Sequence, residues 1–220
     1  MPDNLPSRAS LELVDPLVYA ELLNSVAGEL ADDEVASLET QFIIDEMLRI
    51  AAGKGKDGED TRQMVGLAAP QMGVSKRIVT IDMTATGALQ QQNIVATINP
   101  TIVGQSEEVV DGREGCWSCA NYCANVPRSV RVVLEGLSRT GEQVRYELGG
   151  FVARIAQHEV DHLDGIRCID RVPAGEDWRL HRVMPDEFED YRTQWKTWDK
   201  HFSRDEWKKF RKGEMLTRLT

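Results

Sequence analysis

The stretch FVARIAQHEVDHLDG, residues 151–165, contains His158-Glu159-Val160-Asp161-His162. On a helix, residues four apart lie one above the other, so His158 and His162 present both imidazoles to one metal ion from the same face. Glu159 then stands beside that ion without being a ligand. A divalent cation on neutral imidazoles lowers the pKa of its water toward neutrality, and a neighbouring carboxylate takes the proton as hydroxide attacks a carbonyl. The pattern points to metal-dependent hydrolysis. Its flanks agree: Phe151, Ile155, His158 and His162 are spaced by four, three and four, the apolar stripe of an amphipathic helix. The two imidazoles are therefore expected to be buried near the end of that helix, and Gly165 followed by Ile166 supplies its stop. Three fixed positions nevertheless arise by chance on the order of once in a few hundred chains, so the rest of the sequence must be consulted.

The chain has 220 residues, 41% of them hydrophobic, enough for one substantial core. Its formal net charge of -10 argues against a general nucleic-acid binder, and DNA is not an expected partner. The charge is uneven: from Glu176 onward 11 Lys+Arg face 10 Asp+Glu, whereas the preceding residues carry 15 against 26. The C-terminal stretch is thus locally basic around Lys208, Lys209, Arg211 and Lys212, as a solvated helix face or a docking surface would be. No run of about 18 apolar residues occurs, so no membrane span is expected. The opening MPDNLPSRAS lacks the apolar core of a secretory signal and the Arg-rich character of a transit peptide, which makes the expected location cytoplasmic, with an organelle as the other option. Four cysteines are too few to read as a disulfide framework, and Cys116, Cys119 and Cys123 are bunched around one loop.

Periodicity predicts a helix over 38–51, closed by the polar, glycine-bearing run from Gly53. It predicts strands over 76–82, over 94–103 with a break at Asn99-Pro100, and over 129–135 and 143–148 with a turn at Thr140-Gly141. The His-bearing helix follows, then a tail with helical stretches around Trp195, Trp198 and Trp207, whose rings are expected to bury against the domain they follow. The expected fold is α+β: mostly antiparallel strands around a central metal-binding helix, with a helical C-terminal extension. Residues 1–175 form the expected catalytic domain, its first ten or so residues a flexible arm, and 176–220 the extension.

A catalytic zinc-type site usually takes three protein ligands. No third histidine follows His162 closely, but Cys116 lies between expected strands after Gly115, where the backbone can approach a partner, and a metal would deprotonate its thiol.

Three segments together resemble the peptide deformylase family. Gln157 to Gly165 matches that family's third motif, Glu114-Gly115-Cys116-Trp117-Ser118 is similar to its second, E-G-C-L-S, and Met64 to Gln71 resembles its first, G-x-G-x-A-A-x-Q. Ile98-Asn99-Pro100 falls between the first two, as is common in the family. The resemblance covers roughly residues 10–175 and implies removal of the formyl group from N-terminal formyl-methionine of nascent chains. It implies that Cys116, His158 and His162 hold one divalent ion, often ferrous iron, while the ligand set also suits zinc, nickel or cobalt. It assigns proton transfer to Glu159, oxyanion stabilisation to Gln71 and the backbone N–H of Trp117, and peptide contacts to Val65, Gly66 and Trp117. In the family a C-terminal helix can dock on the ribosome, and the basic tail here permits the same.

Met64 stands at the motif's first glycine, Trp117 at its leucine, and Cys119 at a usual valine. A position needing positive φ would make Met64 costly. Cys119 creates Cys-Trp-Ser-Cys, superficially a thioredoxin-type pair, without the expected βαβ surroundings, and places a second thiol where oxidation could pair it with Cys116. Asp161 is read either as a residue orienting a ligand or as a solvated surface group. The rival readings are an H-E-x-x-H metalloprotease, which needs a third ligand other than Cys116, and a deformylase-like binding module without turnover.

Overall fold

Ser37 opens the first long helix by accepting the Thr40 N–H on its hydroxyl. Gly53, at φ +74°, closes it: its N–H bonds the Ile50 carbonyl and the Lys54 N–H bonds that of Arg49. Serine at the entrance and left-handed glycine at the exit satisfy end groups that the helix cannot. The helix spans Leu38–Ala51, as the periodicity predicts, and is α3; the single turns α1 (Ala20–Leu23) and α2 (Asp32–Val35) precede it. Thr40, Ile43, Ile44, Met47, Ile50 and Ala51 are its buried positions, all on one face. Ile44 and Met47 pack with Leu67, Ile78 and Ile98, and burying each such side chain stabilises by roughly 1.5–3 kcal/mol, which fixes α3 on the sheet beneath it.

The structure, a computed structural model, describes residues 10–86 and 93–214. The expected N-terminal arm lies outside the described residues but for Ser10. The described residues include eight strands: β1 (Gly66–Ala68), β2 (Ile78–Asp82), β3 (Ile94–Gln105), β4 (Val109–Glu114), β5 (Tyr122–Ser129), β6 (Arg131–Leu137), β7 (Gln143–Gly149) and β8 (Leu180–Arg182). They form a five-stranded sheet in the order β1-β2-β3-β6-β7 and a three-stranded sheet in the order β4-β5-β8, and every pairing within them is antiparallel. With the helices, this is the α+β class. β3 does not break at Asn99. It runs through, with its register on β6 shifting between Ile98 and Thr101. Asn99 sits at φ 47°, accepts the Leu30 N–H and donates to the Leu30 carbonyl, so its side chain pairs with backbone while the strand bulges past it.

The remaining helices are α4 (Gly150–Leu163), α5 (Phe188–Gln194) and α6 (Arg204–Arg211). α4 contacts β1, β2, β3, β6 and β7 of one sheet and β5 of the other. It is therefore buried on more than the expected stripe: Arg154, Glu159 and Asp161 are enclosed along with Ala153, Ile155 and Leu163. At its end Gly165 takes φ +67°, its N–H bonding His162 and the Ile166 N–H bonding Asp161. That paired cap stops the helix directly after the second histidine. A Cβ at Gly165 would come within 2.5 Å of the Asn24 carbonyl, a second reason for glycine there.

The stretch after residue 175 joins the same body. β8 pairs with β5 through Tyr122↔Arg182 and Ala124↔Leu180, and Trp207 and Phe210 of α6 pack on Tyr122 with ring centroids 5.9 and 5.0 Å away. Trp207 is buried, and Trp195 and Trp198 are partly buried around Tyr191. Among the described residues no helix is long and apolar enough to cross a membrane.

His181 of β8 is a pH-sensitive joint in this stretch. It is buried, its Nδ1 3.0 Å from the Tyr191 hydroxyl and its Nε2 3.2 Å from the Trp178 carbonyl, with the His201 ring at 5.4 Å. Burial, and then the His201 charge, push its pKa down to about 4. The unfolded chain binds the proton more readily, so this group's contribution is intact above about pH 6.5 and declines as pH falls toward 4, by up to about 3 kcal/mol. Melting temperatures between pH 7 and 4.5 should fall less steeply in His181→Gln than in the wild type. Equal slopes would remove His181 as the cause.

Candidate metal centre and active site

β4 delivers Glu114 to the interior, and the chain then turns through Gly115 and Cys116 into a 3-10 turn, Trp117–Cys119, before β5 begins. A Cβ on Gly115 would approach the Cys123 Sγ to 2.6 Å, so a glycine is what lets this loop lie against β5. Ala120 leaves the turn at φ 49°, a conformation that costs a non-glycine residue. The loop brings Cys116 to α4, and one donor atom each from Cys116, His158 and His162 lies within 4.8 Å of the others. The two imidazole rings, one helical turn apart, stand 4.9 Å centroid to centroid at 83°.

The side chains around these donors fit a bound cation. His162 is buried, and neither of its ring nitrogens has a hydrogen-bond partner among the described residues; an ion accepting one lone pair would satisfy one of the two. The Nδ1 of His158 is held by the Glu114 Oε2 at 2.9 Å, which leaves Nε2 for the ion and fixes the ring. Hydrogen bonds from Cys119 and Cys168, and then the charge of His162, hold the Cys116 thiol well below its ordinary value against the effect of burial. Burial and the hydrogen bond to Cys116 push Cys119 well above it.

Behind the histidines lies a buried charge network that the sequence reading missed. Glu114 is gripped at both oxygens by Arg128, each at 2.9 Å, and at Oε1 by the Arg154 Nη1 at 2.6 Å. Burial pushes its carboxyl up, but Arg128 and His158 outweigh this and hold it far below the usual carboxylate range. Arg128 also donates to Asp161 at 2.6 Å, and Arg171 closes on the same carboxylate. Asp161 is thus buried rather than solvated, and its carboxylate pairs with Arg128, one of the two arginines that hold Glu114, and with Arg171. The available signal was Arg154 and Asp161, seven residues apart on the helix that carries the histidines.

Glu159 is only 4% exposed, with Oε2 without a hydrogen-bond partner among the described residues and Oε1 against Gly66. A Cβ at Gly66 would collide with Glu159 and come within 2.7 Å of the Ile155 Cγ2, so the missing side chain makes room for this carboxylate. Burial pushes the Glu159 pKa up, while His158 and His162 pull it down. Gln71 follows β1 in a buried 3-10 turn, and its Oε1 accepts the Ala68 N–H at 2.8 Å, so its amide nitrogen is the end turned to other partners. Val65 precedes β1, its carbonyl bonded to the Asp82 N–H, and β1 is the edge of its sheet. Trp117 is 52% exposed, its indole N–H donating to the Val14 carbonyl at 2.7 Å. Met64 has no positive φ and packs on the α3 core, so the departure from glycine is unstrained. The Cys-Trp-Ser-Cys pair lies in a turn between strands with Cys119 fully buried, unlike an exposed pair at a helix N-terminus.

The family profile for polypeptide deformylase matches residues 18–178. The peptide deformylase of Thermomicrobium roseum is 38% identical over 150 residues, covering 67% of this chain and 83% of that protein. Those of Thermodesulfovibrio yellowstonii and Halothermothrix orenii are 41% and 45% identical over 49% of this chain, and the match spans 64% and 66% of their own lengths, just under two thirds. Among solved structures, the class I type b peptide deformylase of Acinetobacter baumannii bound to Met-Ala-Ser is similar at a TM-score of 0.60 and 31% identity, over 69% of this chain and 92% of that one. An actinonin complex of the peptide deformylase from Synechococcus elongatus is similar at 0.61 and 28%, over 77% and 84%.

Proposed function

Because the chain belongs to the polypeptide deformylase family, we propose that it hydrolyses the formamide of N-terminal formyl-methionine on nascent polypeptides, releasing formate and a free amine. The observation that carries this reading is the convergence of Cys116, His158 and His162 beside a buried Glu159. Those three residues would hold one divalent ion. Ferrous iron is our assignment for the cell, although a thiolate with two imidazoles also suits zinc, nickel or cobalt. When bound, the ion supplies Lewis acidity that polarises the formyl carbonyl and acidifies the attacking water.

The chain's own groups do the rest. Glu159 takes the proton lost by water as its oxygen bonds the formyl carbon, and passes it to the nitrogen as the C–N bond breaks. Gln71, its carbonyl end fixed by Ala68, directs an amide N–H at the oxygen on which negative charge develops, and the Trp117 backbone N–H provides a second donor. The edge of β1 at Val65 and Gly66 accepts the peptide as an added strand, with the Trp117 ring at the rim. The metalloprotease reading loses its motive, since Cys116 stands where a third ligand is needed. A contact with the ribosome through residues 176–220 would fall to the exposed Lys208, Lys209 and Lys212, since Arg211 is held by Asp170, Asn24 and Gly165.

Protein purified without oxygen and loaded with ferrous iron should release formate from formyl-Met-Ala-Ser, stop on chelation and resume when iron is restored. One bound ion per chain with no formate released would overturn the reading for this substrate and favour a binding module.

A further inference from the structure

Cys119 and Cys168 take no part in the reaction proposed above, yet both adjoin the ligand Cys116. The Cys116 and Cys119 sulfurs are 3.4 Å apart, those of Cys119 and Cys168 3.7 Å, and all three lie within 4.8 Å of one another. These are free thiols, well beyond the ~2.05 Å of a disulfide. Three thiolates about 2.3 Å from one ion stand roughly 3.7–4.0 Å apart, close to the Cys116–Cys119 and Cys119–Cys168 separations. The backbone favours convergence. Cys119 N–H bonds the Cys116 carbonyl at 3.0 Å, winding Cys-x-x-Cys so that both sulfurs face one way, and Cys168 enters from the start of the 3-10 turn that follows α4. Cys-x-x-Cys plus a distant cysteine is a common metal-knuckle spacing.

A second observation lies next to the thiols. The Arg167 side chain is 0% exposed, and its Nε and Nη2 have no hydrogen-bond partner among the described residues. Its Nη1 donates to the carbonyl of Ser118, between the two loop cysteines, and its guanidinium lies over the rings of Trp207 and Phe210. A buried cation with no carboxylate to pair with is costly. Three thiolates around a mono- or divalent ion carry a net negative charge, which Arg167 would offset while its idle N–H groups turned toward sulfur.

We propose that Cys116, Cys119 and Cys168 form a second, thiolate-only metal site, suited to soft ions such as Cu(I) and Cd(II) and sharing Cys116 with the Cys116/His158/His162 set. Binding releases the thiol protons to solvent and changes no oxidation state. A soft ion there competes for Cys116, so thiophilic metals disable the first site by withdrawing its ligand. The thiol site stands on its own geometry; only that inhibitory consequence rests on the formyl-peptide reading.

The test is titration of the reduced, iron-loaded holoprotein with Cd(II) under argon, followed by the ultraviolet sulfur-to-cadmium charge-transfer band. The wild type should show a three-thiolate band, Cys119→Ala and Cys168→Ala should each lose one thiolate's share of it, and His158→Ala/His162→Ala should keep it whole. A band unchanged in both cysteine variants would place cadmium with Cys116 and the histidines and overturn the proposal. So would absence of a three-thiolate band from both the wild type and the folded histidine variant. If an alanine variant fails to fold, Cys119→Val against the wild type decides on the same readout.

Discussion

Replacing Glu159 by glutamine should slow formate release from a formyl-methionyl peptide by roughly 10²–10⁴-fold while the bound metal remains, since that is the usual worth of a positioned acid-base group. Glutamine has nearly the shape of glutamate, so the packing against Gly66 and Ile155 survives and only the proton carrier is lost. The carboxylate suits the task because burial raises its pKa, bringing it nearer the range in which one group can both take and return a proton. The measurement is formate production together with metal content per chain. Activity within about tenfold of the wild type would remove Glu159 as the acid-base group. Loss of the metal in the glutamine variant would instead make Glu159 part of the ion's support.

Arg128→Met should cost about 3–5 kcal/mol of folding stability, more than any exposed ion pair in the chain could. A buried ion pair is not strongly stabilising in itself, because desolvation consumes most of its attraction. Removing one partner is different, because the remaining charge stays buried without compensation. Here two carboxylates are stranded at once, Glu114 and Asp161, although Arg154 and Arg171 still reach them and should keep the loss toward the lower end. The sign with pH follows from Glu114. Its folded pKa is depressed, so its contribution is present above the unfolded value and is lost as pH falls through the folded one. In Arg128→Met the folded pKa is less depressed, so less stability is lost as pH falls below the ordinary carboxylate value of about 4.3. Denaturant unfolding at pH 7 and at about pH 3.5 measures both effects. A change below about 1 kcal/mol at pH 7 would mean that the network is dispensable, and Arg128→Met/Glu114→Gln should recover part of the loss.

The same network marks where sequence reasoning stops. α3 and α4 were legible because apolar residues at three and four spacing and glycine stops are local signals, and the structure places them at Leu38–Ala51 and Gly150–Leu163. β2, β6 and β7 were legible for the same kind of reason, runs of β-branched residues between turns. β5 was not, although it is eight residues long. Asn125, Pro127 and Arg128 interrupt its apolar alternation, because its inner face meets Glu114 and Asp161 as well as hydrocarbon. β1 and β8, three residues each, are too short to carry a period.

By itself, then, the sequence determined the α+β class, the helix that presents His158, Glu159 and His162, and, through three motifs in order, the family. Those features depend on residues close along the chain, where helical geometry alone fixes which side chains share a face. Only the tertiary structure decided that Glu114 fixes His158, that Asp161 answers Arg128 and Arg171, that Gly66 makes room for Glu159, and that Cys168 joins Cys116 and Cys119. Each of these pairs elements brought together by packing, and a charged or thiol side chain in sequence carries no mark of the distant partner that will make its burial tolerable.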